Sequence, residues 1–240
     1  MNTINIYGFT DTGKTRSSNE DCIQCLSDIP AAILADGMGG HSAGEVASRT
    51  AVDTIAAILR QTVRGISAHE RLETAIQAAH SVIREKSRQS IRYRGMGTTV
   101  VAVLADDRAL HYAHVGDSRL YLLRDGQFSA LTHDHSLQQE FIDQGLYTEE
   151  EAREKVSRNI LTRALGLEPQ VIVDYNQMET RRGDRFLMCS DGLYDMLTEA
   201  EMAALLGRPH ELDQVGLDMV ELANARGSKD NVSVIILTGF

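Results

Sequence analysis

Tryptophan is absent from this 240-residue chain, and proline and cysteine occur three times each. So few prolines, with no low-complexity tract, leave little room for extended disorder. Cys22, Cys25 and Cys189 are too few, and odd in number, for a disulfide framework, which points to a reducing compartment. Long apolar runs are also missing. The stretches at 99–105 and 232–237 are far too short to cross a bilayer, so no membrane insertion is expected. The start, Met1-Asn2-Thr3-Ile4-Asn5, has no basic segment followed by an apolar one, so no secretory signal is expected and the cytoplasm is the expected location. Basic excess is lacking too, since 24 lysines and arginines against 34 acids leave a net charge of -10. A nucleic-acid binder needs a basic face to displace counterions, so nucleic acid is not an expected partner.

What remains is an ordinary globular balance, with 42% hydrophobic and 24% charged residues, enough for a sizeable core. Cys22 and Cys25 form a C-x-x-C pair, but the surrounding residues 21–27 read as a strand. Residues three apart on a strand face opposite sides, which argues against a shared metal.

The hydropathy pattern predicts strands over 4–9, 22–26 and 31–35. The last stops at Asp36-Gly37-Met38-Gly39-Gly40, where three glycines require a tight turn or a close backbone approach. Helices are predicted over 43–59 and 68–88, the second striped by Leu72, Ala75, Ile76, Ala79, Val82 and Ile83. Strands follow over 98–104, 110–115 and 119–123, and Asp125-Gly126 marks a hairpin to 128–131. Residues 133–166 are polar and helical, with helices over 136–144 and 148–155 and a capping box of Thr148 with Glu151. This stretch interrupts the β pattern and reads as an insertion on the sheet. Strands at 171–175 and 185–189, helices at 198–206 and 212–225 and a strand at 232–238 complete the chain. Consecutive hairpins with helices in separate runs predict an α+β class, with antiparallel sheets covered by helices.

The acids carry the chemical information. Asp36, Asp117 and Asp191 sit at the ends of predicted strands, while Glu20, Asp21 and Asp230 sit just before others. One such aspartate is ordinarily a turn residue or a helix cap. Six of them, if their strand ends converge, would repel one another unless cations hold them. No histidine or cysteine accompanies them at ligand spacing, and oxygen-only ligation selects magnesium or manganese over zinc. Arg16 precedes the first acids in a stretch rich in glycine and hydroxyls. Alone it reads as a surface arginine. Beside a carboxylate–metal cluster, a guanidinium can hold two non-reacting phosphate oxygens in a fork.

The ordered strings R-S-S-N-E-D at 16–21, A-D-G-M-G-G-H at 35–41, M-G-T-T at 96–99, V-G-D-S-R at 115–119, C-S-D-G-L-Y-D at 189–195 and K-D-N-V-S at 229–233 resemble the metal-dependent protein phosphatases of the type 2C family. The form with Met38-Gly39-Gly40-His41 resembles the bacterial members. The resemblance runs from about Gly13 to Val234. It implies a four-layer αββα sandwich, two central antiparallel sheets flanked by helices, in one catalytic domain over 1–240. It also implies a helical flap over approximately 133–166 that shapes substrate access. The implied activity is hydrolysis of phosphoserine and phosphothreonine in proteins, by direct attack of a hydroxide bridging two Mn2+ or Mg2+ ions about 3.5–4 Å apart. By resemblance, Asp36 bridges both ions, Asp191 and Asp230 complete the first, and Glu20 and the Gly37 carbonyl serve the second. Asp21 acts through water, and Asp117 with Asp191 holds a weaker third ion. Arg16 binds the phosphate, and Asn231 orients the site through hydrogen bonds.

One position departs from the family pattern. Many animal and plant members carry a histidine directly after the metal-bridging Asp-Gly, as general acid for the leaving alkoxide. Here that residue is Met38, which has no proton to donate. His41 is the candidate substitute, as acid, substrate contact or helix cap, with a metal-bound water as the alternative acid. His133 and His135 read as hydrogen-bonding groups at the base of the flap, and His69, His80, His111, His114 and His210 as structural or exposed. A catalytically silent phosphoprotein- or metal-binding relative is the alternative, but such relatives usually lose a metal aspartate and none is missing here. A two-metal nuclease would need a basic stripe. The expected partners are phosphorylated proteins, substrates of a cognate serine/threonine kinase, and the expected state is a monomer.

Overall fold

The computed structural model describes residues 4–39, 43–61, 65–209 and 211–240. In chain order the elements are β1 (Asn5–Asp11), β2 (Asp21–Leu26), β3 (Ala31–Met38), α1 (Ala43–Leu59), α2 (Ala68–Gln89), β4 (Gly97–Thr98), β5 (Val100–Ala105), β6 (Ala109–Val115), β7 (Arg119–Arg124) and β8 (Gln127–Ala130). They continue with α3 (Leu137–Asp143), α4 (Glu149–Lys155), β9 (Asp174–Glu179), β10 (Arg185–Cys189), α5 (Asp191–Tyr194), α6 (Glu199–Leu206), α7 (Leu212–Ala225) and β11 (Val232–Thr238). The strands form two antiparallel sheets. One runs β1-β11-β10-β7-β8, the other β2-β3-β5-β6-β9 with β4 beside β3.

Strand alternation explains the layers. Ala31, Ile33 and Ala35 on β3 face α1 and α2, where they pack with Ala47, Ile55, Leu72 and Ile76. Ala32 and Leu34 face the other way and meet Phe186, Met188, Ile235 and Leu237 between the sheets. The opposite face of the first sheet, through Leu187, Val234 and Ile236, packs on Met202, Val215 and Met219 of α6 and α7. The result is the αββα sandwich. Both faces of the central strands are buried, so 232–237 reads as a continuous apolar run rather than an alternating one. Each fully buried aliphatic side chain contributes roughly 1.5–3 kcal/mol.

Local signals act as expected in several places. Asp125 (φ 51°) and Gly126 (φ 79°) both take the left-handed region and close the β7–β8 hairpin. Thr148 and Glu151 form the capping box of α4. Cys22 packs into the layer under α1 while Cys25 points between the sheets, so the C-x-x-C thiols lie on opposite faces.

Three expectations shift. The strand expected over 171–175 lies at Asp174–Glu179 instead, because Val171 packs into the helical layer ahead of a mostly polar strand paired only with β6. β3 runs through Asp36 to Met38, because Gly37 and Met38 pair with β4. A one-turn helix, α5, begins at Asp191. Residues 133–166 leave the sheet after β8 and carry α3 and α4. They rejoin the core at Leu165, which pairs with Thr98 and is fully buried. Among the described residues, no helix is long and apolar enough to cross a membrane.

Candidate active site

The cross-strand register of β2 and β3 sets Asp21 opposite Asp36. Glu20 lies one residue before β2, and its carbonyl accepts the Gly37 N–H at 3.0 Å. That approach requires glycine twice over. A Cβ on Gly37 would meet the Gly44 oxygen at 2.2 Å, and one on Gly44 would meet the Glu20 carboxyl at 2.8 Å. Glycine at both positions therefore lets α1 and the Glu20 side chain close on the end of β3.

The other sheet supplies Asp191 and Asp230. A Cβ on Gly192 would meet the Asn231 oxygen at 2.0 Å, so α5 leaves β10 pressed against the entry to β11. Asn231 ties in the Arg16 loop. Its Oδ1 accepts the Glu20 N–H at 2.8 Å, and its Nδ2 donates to the Thr12 and Ser18 carbonyls at 2.8 and 3.0 Å. Arg16 Nη2 donates to Asp230 Oδ2 at 2.7 Å and Nε donates to the Lys229 carbonyl at 3.3 Å.

These elements enclose a cavity of about 240 Å³. Arg16, Glu20, Asp36, Gly37, Asp117, Asp191 and Asp230 all line it, with Met38 beside Gly37. Asp21 sits behind the rim, buried, with Oδ2 accepting the Ser190 hydroxyl at 2.8 Å. His41 lies outside the described residues, as does His210. A second cavity, about 560 Å³, shares Asp117 and Asp191 and runs along α3, α4 and α6 past Arg119 and Tyr194. A larger cavity of about 850 Å³ lies around the turns at the far end of the strands and gathers no comparable set of groups.

The cavity also contains residues whose sequence context carried no assigned role. The Thr99 hydroxyl accepts the Asp36 N–H at 3.0 Å and shares a 2.7 Å hydrogen bond with Ser118, bracing the loops of two acids. Thr99 stood in the M-G-T-T string, so a signal existed. Asn159 and Leu161 come from the 133–166 stretch, and no local pattern marks them.

The electrostatics are those of a crowded acid cluster. Burial first, and then the charges of Asp21, Asp191 and Asp117, push the Asp36 carboxyl well above its usual range. Burial and then Asp117 and Asp230 do the same to Asp191. Asp117 is pushed up to about 7 by burial and by Asp134, and Asp21 to about 6, chiefly by burial. Burial also raises Glu20. Among the described residues, the buried Asp21 Oδ1 and Asp191 Oδ1 have no hydrogen-bond partner. Orphaned buried carboxylate oxygens are costly. Two such oxygens in a cluster of buried acids fit a site for hard divalent ions, and every donor here is oxygen.

Comparison with known proteins gives the same direction. The family model described as protein phosphatase 2C matches residues 14–228. A serine/threonine phosphatase of Listeria innocua, Stp, is 37% identical over 238 residues, covering 95% of this chain and 93% of its own. The solved serine/threonine phosphatase of S. agalactiae superposes with a TM-score of 0.92 at 36% identity, covering 99% of this chain and 100% of its own. The catalytic domain of the phosphatase PstP, solved in complex with two manganese ions, gives a TM-score of 0.88 at 35% identity over 98% of this chain and 97% of its own. The chain belongs to the protein phosphatase 2C family.

Proposed function

We propose that this chain is a metal-dependent phosphoprotein phosphatase that hydrolyses phosphoserine and phosphothreonine. The convergence of Glu20, Asp36, Asp117, Asp191 and Asp230 on one cavity, with Arg16 beside them, carries the reading. Asp36 would lie between two cations, Mn2+ or Mg2+, with Asp191 and Asp230 holding the first and Glu20 and the Gly37 carbonyl the second. Asp21 supports them through water, and Asp117 with Asp191 would hold a weaker third. Divalent ions bound there neutralise the acids, polarise phosphoryl oxygens and lower the pKa of water.

The chain's own residues orient the substrate. Arg16 is anchored through Nη2 and Nε, and among the described residues Nη1 makes no hydrogen bond. That nitrogen is available for the non-reacting oxygens of a phosphate, whose charge spreads over them in the transition state. Water attacks phosphorus in line with the leaving seryl or threonyl oxygen, and no covalent phosphoenzyme is formed. Cys22 and Cys25 are unsuited as nucleophiles, since burial pushes each thiol up to about 11. His41 is the proposed proton donor to the leaving oxygen. The stretch over 133–166 acts as the flap, bringing Asn159 and Leu161 to the cavity rim. The substrates are phosphoproteins opposed by a cognate serine/threonine kinase, the location is the cytoplasm and the working unit is a monomer.

The test is phosphate release from a phosphothreonine peptide. Release with manganese and none with excess EDTA is expected. No release with any divalent ion, from protein shown to be folded, overturns the reading.

A further inference from the structure

His114, His135 and Asp174 come within ligand distance of one another, although sequence reading found no constellation around His114. The two imidazoles are buried and stack with centroids 4.7 Å apart. Two details argue against a cation there. The Gly116 N–H donates to His135 Nδ1 at 3.1 Å, so Nδ1 holds the lone pair and the neutral ring carries its proton on Nε2. A metal on Nε2 would have to displace that proton. In addition, Arg163 Nη1 donates to Asp174 Oδ1 at 2.8 Å and lies 3.2 Å from His135 Nε2, so a positive group already fills the position.

The same contacts describe a clamp. His135 grips Gly116 from both sides, since its own N–H donates to the Gly116 carbonyl at 3.0 Å while its ring accepts the Gly116 N–H. Gly116 takes φ 104°, and a Cβ there would meet Thr99 at 2.7 Å. It directly precedes Asp117, which lines the cavity. From its other side, the His135 carbonyl accepts the Thr162 N–H at 2.9 Å, and Leu137 N–H donates to the Ile160 carbonyl at 2.8 Å. Asn159 and Leu161, the cavity residues of this segment, flank Ile160. On the ring's outer edge Nε2 faces Asp174 Oδ2 at 3.3 Å, which Arg163 holds in place.

We propose that the His135 ring is a positioning group that holds Asp117 in register at the active-site cavity, through the hydrogen bond its Nδ1 accepts from the Gly116 N–H. The proposal rests on the reading of this cavity as a phosphatase site. Burial, followed by the charges of His114 and Arg163, pushes the His135 ring down to about 4, so the ring stays neutral and keeps its acceptor nitrogen through the physiological range.

Three measurements test it. The 15N shifts of the wild-type His135 ring should report a proton on Nε2 and a bare, hydrogen-bonded Nδ1, a readout independent of activity. A proton on Nδ1 overturns the clamp even if the ring is buried as described. Second, His135→Ala should lower kcat for a phosphothreonine peptide about 10- to 100-fold, because small misplacements of reacting groups cost rates of this order. His135→Asn, whose Oδ1 can accept the Gly116 N–H, should recover most of the loss. An Asn variant no better than the Ala variant indicates a merely space-filling ring and overturns the proposal. Third, His135→Ala combined with Asp117→Asn should be no slower than Asp117→Asn alone, whereas combined with Arg16→Ala the losses should multiply. Multiplication with Asp117→Asn, or an Asp117→Asn variant with wild-type turnover, overturns the route through Asp117. Failure of the phosphatase reading itself shows separately, as absence of manganese-dependent release by the wild type. If His135→Ala does not fold, the ring shifts and the His135→Asn variant decide.

Discussion

Ser190, at the end of β10, donates its hydroxyl proton to Asp21 Oδ2 at the start of β2, across 2.8 Å. This bond stitches the two sheets together at the end that carries the acids. The same hydroxyl accepts the Ser233 N–H at 3.0 Å, so Ser190 leaves its own position ahead of α5 without a side-chain cap. Asp21 depends on it, since its other oxygen has no partner among the described residues.

Ser190→Ala is therefore expected to destabilise the protein. Removing one partner of a buried polar pair costs about 1–3 kcal/mol. Urea unfolding in EDTA should show the midpoint fall with an unchanged slope. An unchanged midpoint would show that Asp21 is satisfied some other way.

The acid cluster gives the metal-free protein a defined pH response. Asp21 and Asp117 titrate near 6 and 7 in the fold, above the ordinary 3.8, and Asp36 and Asp191 are raised as well. Groups raised in this way contribute their stability fully below about pH 4, and lose it as pH climbs through 6 and 7. His135 works in the opposite sense, losing its contribution as pH falls from 6.5 through about 4. Comparing melting with and without manganese isolates the acids. The gain in Tm from manganese should grow from pH 5 to pH 8. Asp36→Asn should remove turnover while raising the Tm of the metal-free protein at pH 8, because it deletes one of the mutually repelling charges. A manganese gain that is flat with pH would contradict the cluster's role as the cation site.

Arg16→Ala should reduce kcat/KM for a phosphopeptide by about a hundredfold, the scale of losing one transition-state donor. It should leave Tm nearly unchanged, because the Arg16–Asp230 pair is 45% and 33% exposed and such pairs contribute little. Arg16→Lys should rescue only part of the loss, since an ammonium lacks the planar fork. Manganese binding by calorimetry should persist in both variants, and its loss would make Arg16 part of the metal framework instead.

His41→Ala should lower turnover of a phosphopeptide modestly, and less so for an activated aryl phosphate, whose leaving group needs no proton. Unchanged turnover with both substrates would remove His41 from the reaction and leave water as the acid.

Much was legible along the chain because the physics involved is local. The Leu72–Ile83 stripe, the Asp125-Gly126 turn and the Thr148–Glu151 box each depend on neighbours within a few residues, and they formed as read, except that Val82 is exposed and His80 joins the buried face of the stripe. The strand near 171–179 was misplaced because its pairing partner, not its own pattern, decides where it starts. α5 escaped notice because four residues hold no period.

The sequence by itself determined most of the elements, the oxygen-only character of the acids and, through six ordered strings, the family. It could not reveal that Thr99 braces Asp36, that Ser190 supports Asp21, or that His135 grips Gly116. Those pairs lie 63, 169 and 19 residues apart. Sheet-on-sheet packing brings Ser190 to Asp21, pairing of β3 with β4 and β5 brings Thr99 to Asp36, and the return of the 133–166 stretch to the end of β6 brings His135 to Gly116. None was readable, because a short-range directional bond depends on position in space and leaves no periodic trace along the chain.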